Sequence, residues 1–394
     1  MSPVQADLSE SMLDNGRRAA DLRIVEVLCA LTLGGILIAG LWPFYPPRNE
    51  AEWVKNENAI QFGRHGSLVS AGAFRTNKSN DDGSGSIEVW LKPTALHGSK
   101  TILAFDRGEH PGDPFRLIQS ENDLVVQQYN VDDHGNCWTA QFSVRDAFHP
   151  HERVFVAITS QVHRTDVYIQ GVLVLASPIL GASTNNFTGR LIVGNTPNSD
   201  NSWSGEISGL AIYHRELTAA QIADHYRNWT IAEGPQFSQN EVPVAVYPFN
   251  ESAGTVIRNQ IYPGTDLLLP ARFSLLHPPF LEPVWRRFRF GWPRWGFWSD
   301  VIVNIAGFVP VGFFPMSYLS LVRPIKRPVA TVILLGFVLS LIIETLQWFL
   351  PTRDSDMTDL ISNTLGAAAG VMLYRCQGIQ VNWARVLNQI DLRT

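Results

Sequence analysis

Glu344, Gln347, Arg353, Asp359 and Asn363 fall close together in the run "IIETLQWFLPTRDSDMTDLISNTLGAAAG", residues 342–370. A charged side chain at the centre of an apolar membrane helix costs ~3 kcal/mol on insertion scales, so Glu344 is expected to face a polar interior and not lipid. At 3.6 residues per turn Ser340, Glu344, Gln347 and Trp348 share one face of a helix, while Leu341, Ile342 and Leu346 occupy others. Downstream, Asp359, Asn363, Gly366 and Gly370 form one stripe, polar at one end and glycine-smooth below it. Asp300, Asn304 and Gly307 form a similar stripe upstream. Gln347, Asn304 and Asn363 can supply hydrogen bonds to Glu344, and Arg353 can reach the same mouth. Such a set could hold a polar headgroup in an outward-facing pocket. It could also act on one, with Glu344 as general acid or base and Arg353 neutralising a phosphate. The second chemistry lacks a nucleophile and a metal cluster: this part of the chain has no histidine, and none of its serines or cysteines has an evident base.

The elements that must position these residues are apolar stretches at 24–41, 301–322, 329–350 and 360–374, nearly free of charge and near the ~20 residues needed to cross a bilayer. Four membrane helices are expected, the first an uncleaved signal anchor, since "ILIAGLWPF" offers no convincing cleavage site. Pro310 and Pro315 predict a kink in the second. Gly366-x-x-x-Gly370 predicts close packing of the fourth against a neighbour. Arginines and lysines flank the helices at 17, 18 and 23, at 323, 326 and 327, and at 375 and 385. With four crossings these share one side, which the positive-inside rule makes cytoplasmic. The long segment between the first and second helices is then extracytoplasmic. "WRRFRFGWPRWGFW", residues 285–298, puts four arginines on that outer side, and its interleaved aromatics predict a segment lying in the headgroup layer.

From about residue 59 to 213 the pattern changes to short alternating runs, among them "SIEVWLK", "RVFVAIT", "TDVYIQ" and "GEISGLAIY", separated by Gly, Asn, Asp and Pro. Many strands with no helix between them predict an antiparallel sandwich, and Gln170-Gly171 predicts a tight hairpin. A helix at "TAAQIADHYRNW" follows, with Thr218 as its cap and Ile222, Tyr226 and Trp229 on one face. The fold class expected is a membrane α-helical bundle with four transmembrane helices and an inserted all-β jelly-roll sandwich domain. The net charge of −5 and the lack of a basic run argue against a nucleic-acid partner. The three cysteines, at 29, 137 and 376, are too far apart in this scheme for a disulfide framework or a thiol metal site.

"SGSIEVWLKP", "TDVYIQGVLV", "FTGRLIVGN" and "WSGEISGLAIYHRELTAAQIADHY" together resemble the laminin-G-like, concanavalin A-like jelly roll of bacterial surface proteins, over residues 55–230. That resemblance implies binding of a sugar or a protein more than catalysis. "VAVYPFNESAGTVIRNQI", residues 244–261, looks like the opening strand of such a domain placed after its helix, so a late strand is expected to return to the sheet. No glycosidase carboxylate pair is evident: Glu88 and Glu206 sit singly in strands, where a solvated face is expected. A ligand site would be built from loops, with Tyr129, Asp132, Asp133 and Trp138 in one and Asn195, Asp200, Asn201 and Trp203 in another. Such residues could stack and hydrogen-bond a sugar, or hold calcium, the one cofactor the composition suggests. Ordinary turn chemistry explains both loops equally well.

"DVIVNIAGFVPVGFF", the run at 342–370 and "LWPF" resemble the VanZ-like membrane proteins, over the first helix and residues 298–376. The resemblance implies that Asn304, Glu344, Gln347, Arg353, Asp359 and Asn363 are the family's recurring polar positions. The expected organisation is a cytoplasmic tail (1–22), the first helix (23–44), the extracytoplasmic jelly roll (50–235), a returning strand and interfacial linker (236–297), helices two to four (298–376) and a cytoplasmic tail (377–394). The expected function is that of a multi-pass inner-membrane protein of the cell envelope. Its jelly roll would bind an envelope polysaccharide and its polar pocket a membrane lipid or lipid-linked glycan. A surface adhesion or scaffold protein with the bundle as anchor is the alternative, followed by a membrane-embedded enzyme acting on a lipid-linked precursor.

Overall fold

A computed structural model describes residues 3–75, 84–108, 115–131, 137–161, 164–178, 187–232, 241, 243–284, 295–322 and 325–391. Its contacts divide the chain into two units, Pro46–Pro278 and a discontinuous one made of Met1–Tyr45 and Pro279–Thr394.

The first unit is a two-sheet antiparallel sandwich. One sheet runs in the order Ala51–Trp53, Ile60–Phe62, Gly205–Tyr213, Gly85–Pro93, Val154–Gln161, Arg164–Ile169 and Val172–Ser177. The late segment returns to it, since Ala245–Tyr247 pairs with Gly205–Tyr213. The other sheet runs Val256–Ile257, Leu267–Leu268, Leu68–Ser70, Arg190–Val193, Ser99–Asp106, Phe115–Ser120, Asp123–Val131 and Cys137–Val144. Gln170 and Gly171 both take positive φ, as a two-residue hairpin between right-twisted strands requires. The ends of the unit are clasped: Phe273 N donates to Pro47 O at 3.0 Å and Asn49 N to Ala271 O at 3.3 Å.

Strand alternation sends Ile87, Val89 and Leu91 into the core between the sheets. Trp90 points the other way, where it joins Phe155, Tyr168 and Tyr213 under the helix α2 (Ala219–Ala232). The helix supplies Ile222 and Trp229 to that second core, with Tyr226 packed beside them. Thr218 and Gln221 cap it reciprocally, Gln221 N on Thr218 Oγ1 at 3.3 Å and Thr218 N on Gln221 Oε1 at 2.9 Å.

Covering that face changes the meaning of Glu88. It is not on a solvated face but fully buried, where Tyr213 Oη donates to it at 2.9 Å and His225 Nδ1 lies 2.9 Å away. The other ring nitrogen of His225 lies 3.1 Å from Glu241. Burial disfavours the imidazolium, but Glu88 and then Glu241 outweigh it and hold the His225 pKa at about 9. Burial, with the charge of Glu88 beside it, pushes the Tyr213 phenol well above its usual range, so its proton stays on the oxygen.

The second unit contains α1 (Pro3–Leu41), α3 (Trp295–Val322), α4 (Pro328–Gln347) and α5 (Met357–Asp391). Among the described residues three helical stretches are long and apolar enough to cross a membrane, Leu22–Leu41, Trp295–Leu321 and Pro328–Gln347. Three of the four expected crossings are found on this measure, and the fourth, at 360–374, falls short of it. The stretch at 360–374 is helical, but Ser362, Asn363, Thr364 and its small residues dilute its apolarity. Pro310 and Pro315 both sit inside the continuous helix α3. The expected close approach falls between α3 and α5. A Cβ on Gly370 would lie 2.0 Å from Val309 O, one on Gly366 2.3 Å from Ile305 O, and one on Gly312 1.9 Å from Ala367 O. Phe308 and Val311 of α3 and Leu339 and Ile343 of α4 form a buried cluster that Leu33, Ile36, Leu37 and Leu41 of α1 complete. Of the aromatic and basic segment 285–298, residues 285–294 lie outside those described.

Candidate functional site

Helix periodicity places Ser340, Glu344 and Gln347 on the buried face of α4. Trp348, expected beside them, is partly exposed and packs edge-on against Phe280. Between α4 and α5 the chain turns through Thr352, Arg353 and Asp354. Asp356 then caps α5, its Oδ1 accepting from Thr358 N at 2.8 Å, and Asp359 follows in the first turn, where the helix dipole favours a carboxylate.

These elements enclose a cavity of about 760 Å3 lined by all six expected polar residues, Asn304, Glu344, Gln347, Arg353, Asp359 and Asn363. Sequence reasoning missed Thr352, Asp354, Asp356 and Thr358, which also line it, and placed Asp300 only as a stripe neighbour. Thr352, Asp354 and Asp356 belong to a connecting turn, which has no periodicity to align them with a helix face, and Thr358 lies in the first turn of α5.

Glu344 does not take its hydrogen bonds from Gln347, Asn304 or Asn363. Its Oε2 accepts from Asp356 N at 2.9 Å, and the Ser355 side chain also bonds it. A backbone amide at a helix start is a fixed donor, so Glu344 ties α4 to the beginning of α5. Gln347 instead donates to Gly40 O at 2.8 Å, and Asn363 donates to Ser340 Oγ at 3.0 Å. Arg353 clasps one carbonyl, Trp42 O, with Nε at 3.1 Å and Nη2 at 2.6 Å. Four side chains thus secure α1, α4 and α5 around the cavity.

The hydrogen bonds leave acceptors over. Gln347 Oε1 and Asn363 Oδ1 have no partner although both residues are more than nine-tenths buried, and the Thr352 and Thr358 hydroxyls are also unmatched. The wall carries the carboxylates of Asp300, Glu344, Asp354, Asp356 and Asp359, against Arg353 as the one cation among the described lining residues. Such a recess is complementary to hydrogen-bond donors and unfavourable to a bare anion, because each unpaired buried acceptor costs about 1–3 kcal/mol. No group of three or more His, Cys, Asp or Glu side chains is arranged to hold a metal ion among the described residues.

In the sandwich the second expected loop is occupied with its own structure. Trp203 is buried in the core with Nε1–H on Gln119 Oε1 at 2.6 Å, so it offers no open face to a sugar. Asn195 Oδ1 accepts from Asn201 N at 2.8 Å, Asn201 Nδ2 donates to Thr101 Oγ1 at 3.1 Å, and Asp200 lies 3.1 Å from His65. These are the bonds of an ordered turn. Tyr129 and Trp138 sit in adjacent strands, whose register pairs Tyr129 with Thr139 and Asn130 with Trp138. Their side chains, with Asp132 and Asp133, lie outside the described residues.

Comparison with protein families decides the two parts separately. Residues 241–379 match the VanZ/LLP1 family model, and residues 66–223 match that of the concanavalin A-like lectin/glucanases superfamily. The chain joins a VanZ-like part to a concanavalin A-like part. The VanZ-like match begins at residue 241, within the sandwich unit, well before α3. No curated protein matches the chain. Among solved structures, the botulinum neurotoxin serotype D binding domain is 16% identical, with a TM-score of 0.36 over 47% of this chain and 46% of that one. The serotype G binding domain is 15% identical, with a TM-score of 0.30 over 45% and 41%. The chain thus spans less than half the length of these domains.

Proposed function

We propose that this VanZ-like protein is a multi-pass inner-membrane protein of the cell envelope that binds a glycan through its concanavalin A-like domain and the headgroup of a lipid-linked glycan in its helical pocket. The single observation that carries the pocket reading is the pair of buried amide oxygens, Gln347 Oε1 and Asn363 Oδ1, left without donors at the wall of an acidic cavity. Sugar hydroxyls are such donors, and the lining suits them better than it suits a phosphate alone. Counting α5 as a fourth crossing puts the basic flanks on the cytoplasmic side and the sandwich outside.

The ordinary alternative is a bundle whose polar residues only hold helices together, at ~0.6 kcal/mol each. Several of the bonds above do hold helices together. The unmatched acceptors do not, and they support a ligand. Binding alone is proposed, with no chemical step.

Native mass spectrometry of the detergent-extracted full chain tests this reading. The wild type should retain a glycosylated lipid that Glu344→Ala and Asn363→Leu release. Wild type and variants carrying only the same bulk phospholipids would overturn it and reduce the bundle to an anchor.

A further inference from the structure

Trp90 lies on the outer face of its sheet in a three-ring cluster, with Tyr226 nearly parallel at 5.5 Å and Phe155 at 5.0 Å, these two being 5.8 Å from each other. Only 6% of the residue is exposed, yet its indole Nε1–H has no hydrogen-bond partner. A buried indole N–H usually finds an acceptor. Trp90 lines a cavity of about 460 Å3 at the C-terminal end of α2, whose wall also includes Trp229, Arg153, Glu57, Asn58 and Ser208.

Two local features shape this recess. The pairing of Gly205–Tyr213 with Gly85–Pro93 shifts register between Ile207 and Gly209, so Ser208 is the extra residue of a bulge, a device that re-aims a side chain. Next to it Gly209 lets the Trp229 ring approach the strand, since a Cβ there would lie 2.2 Å from Trp229 Cζ2. Arg153 Nη2 donates to Glu57 Oε2 at 3.0 Å, and both side chains are about half exposed, so this pair retains free donor and acceptor positions. An apolar indole wall, a buried donor and planar polar groups that can each engage neighbouring hydroxyls are together complementary to a pyranose ring.

We infer that this recess, and not the ordered loop at 194–203, is a saccharide-binding site of the concanavalin A-like domain. The inference rests on reading that domain as glycan-binding. A ring oxygen or hydroxyl accepts from Trp90 Nε1, while Arg153 and Glu57 take adjacent hydroxyls and Ser208 and Asn58 complete the ring of contacts.

The test uses the full chain in nanodiscs against an array of glucose-, N-acetylglucosamine-, galactose- and mannose-based oligosaccharides. Trp90→Phe keeps the aromatic packing and removes the N–H, and Arg153→Ala alters a half-exposed group whose loss leaves the core intact. Each should weaken binding of the oligosaccharide found for the wild type about tenfold. If Trp90→Phe fails to fold, Arg153→Ala carries the result. An oligosaccharide bound equally by wild type and both variants places the glycan elsewhere and overturns this site while leaving the domain a glycan binder. A wild type that binds nothing on the array overturns both and leaves the recess filled with solvent only.

Discussion

Raising the pH should loosen α2 from the sandwich, because His225 holds its proton between Glu88 and Glu241 in the folded chain and releases it more readily when unfolded. Its pKa rises from 6.5 to about 9 on folding. At ~1.4 kcal/mol per pH unit that gap corresponds to about 3 kcal/mol of stability. The sign follows from which state binds the proton more tightly. The contribution is fully present below pH 6.5, declines above it, and is lost as pH rises through about 9. Tyr213 faces the same carboxylate but keeps its proton over this range, so it does not offset the loss. The perturbation is a titration from pH 6 to pH 10 of the full chain and of His225→Gln. The assay is hydrogen exchange across Ala219–Ala232 together with thermal unfolding. The wild type should lose protection in this segment on the alkaline side, and His225→Gln should be less stable at neutral pH with a flatter alkaline slope. Equal slopes in the two chains, or wild-type protection unchanged up to pH 10, would refute the assignment of the proton to His225.

Three further outcomes are expected. Gly370→Leu forces a side chain against Val309 O, where even a Cβ would lie at 2.0 Å, and should cost about 1–3 kcal/mol or more, read as a lower unfolding temperature in detergent. Glu344→Leu leaves Asp356 N–H without its acceptor and should destabilise by about 1–3 kcal/mol, while Glu344→Gln keeps an oxygen there and should cost less in the same assay. Thr218→Ala removes the α2 cap and should cost about 1 kcal/mol, with fraying visible as faster exchange in the first turn.

What could be read in the sequence followed periodicity. Alternation marked the strands, the spacing of Ile222, Tyr226 and Trp229 marked the buried face of α2, and the pattern of Ser340, Glu344 and Gln347 marked the buried face of α4. Periodicity reports which face is shared but not what covers it. Alternation therefore gives Glu88 a solvated face although α2 lies over it, and a loop position gives no sign that the Trp203 ring fills the core. Hydrogen-bond partners were less legible still. Gln347 and Asn363 face the right cavity, but their amide nitrogens are taken by Gly40 O and Ser340 Oγ, groups that only the packing of α1 and α4 brings near. The cavity's acidic turn, 352–356, has no repeat of its own, and the recess at Trp90 depends on a one-residue bulge that alternation cannot reveal.

The clasp between residues 47–49 and 271–273 bears on how such a chain could arise and fold. A disordered insert holds its two ends together at an entropic cost that increases with length, by ~0.6 kcal/mol for each doubling. Once folded, a domain with clasped ends no longer behaves as a long loop: its host must bridge only the gap between neighbouring residues. The sandwich can therefore complete its sheets independently and then act as a short connector, bringing the segments before and after it to one place. The same closure makes the domain a transferable cassette, since inserts whose ends lie together are the ones hosts tolerate. Evolution could add, exchange or delete it at this position without redesigning the helices on either side.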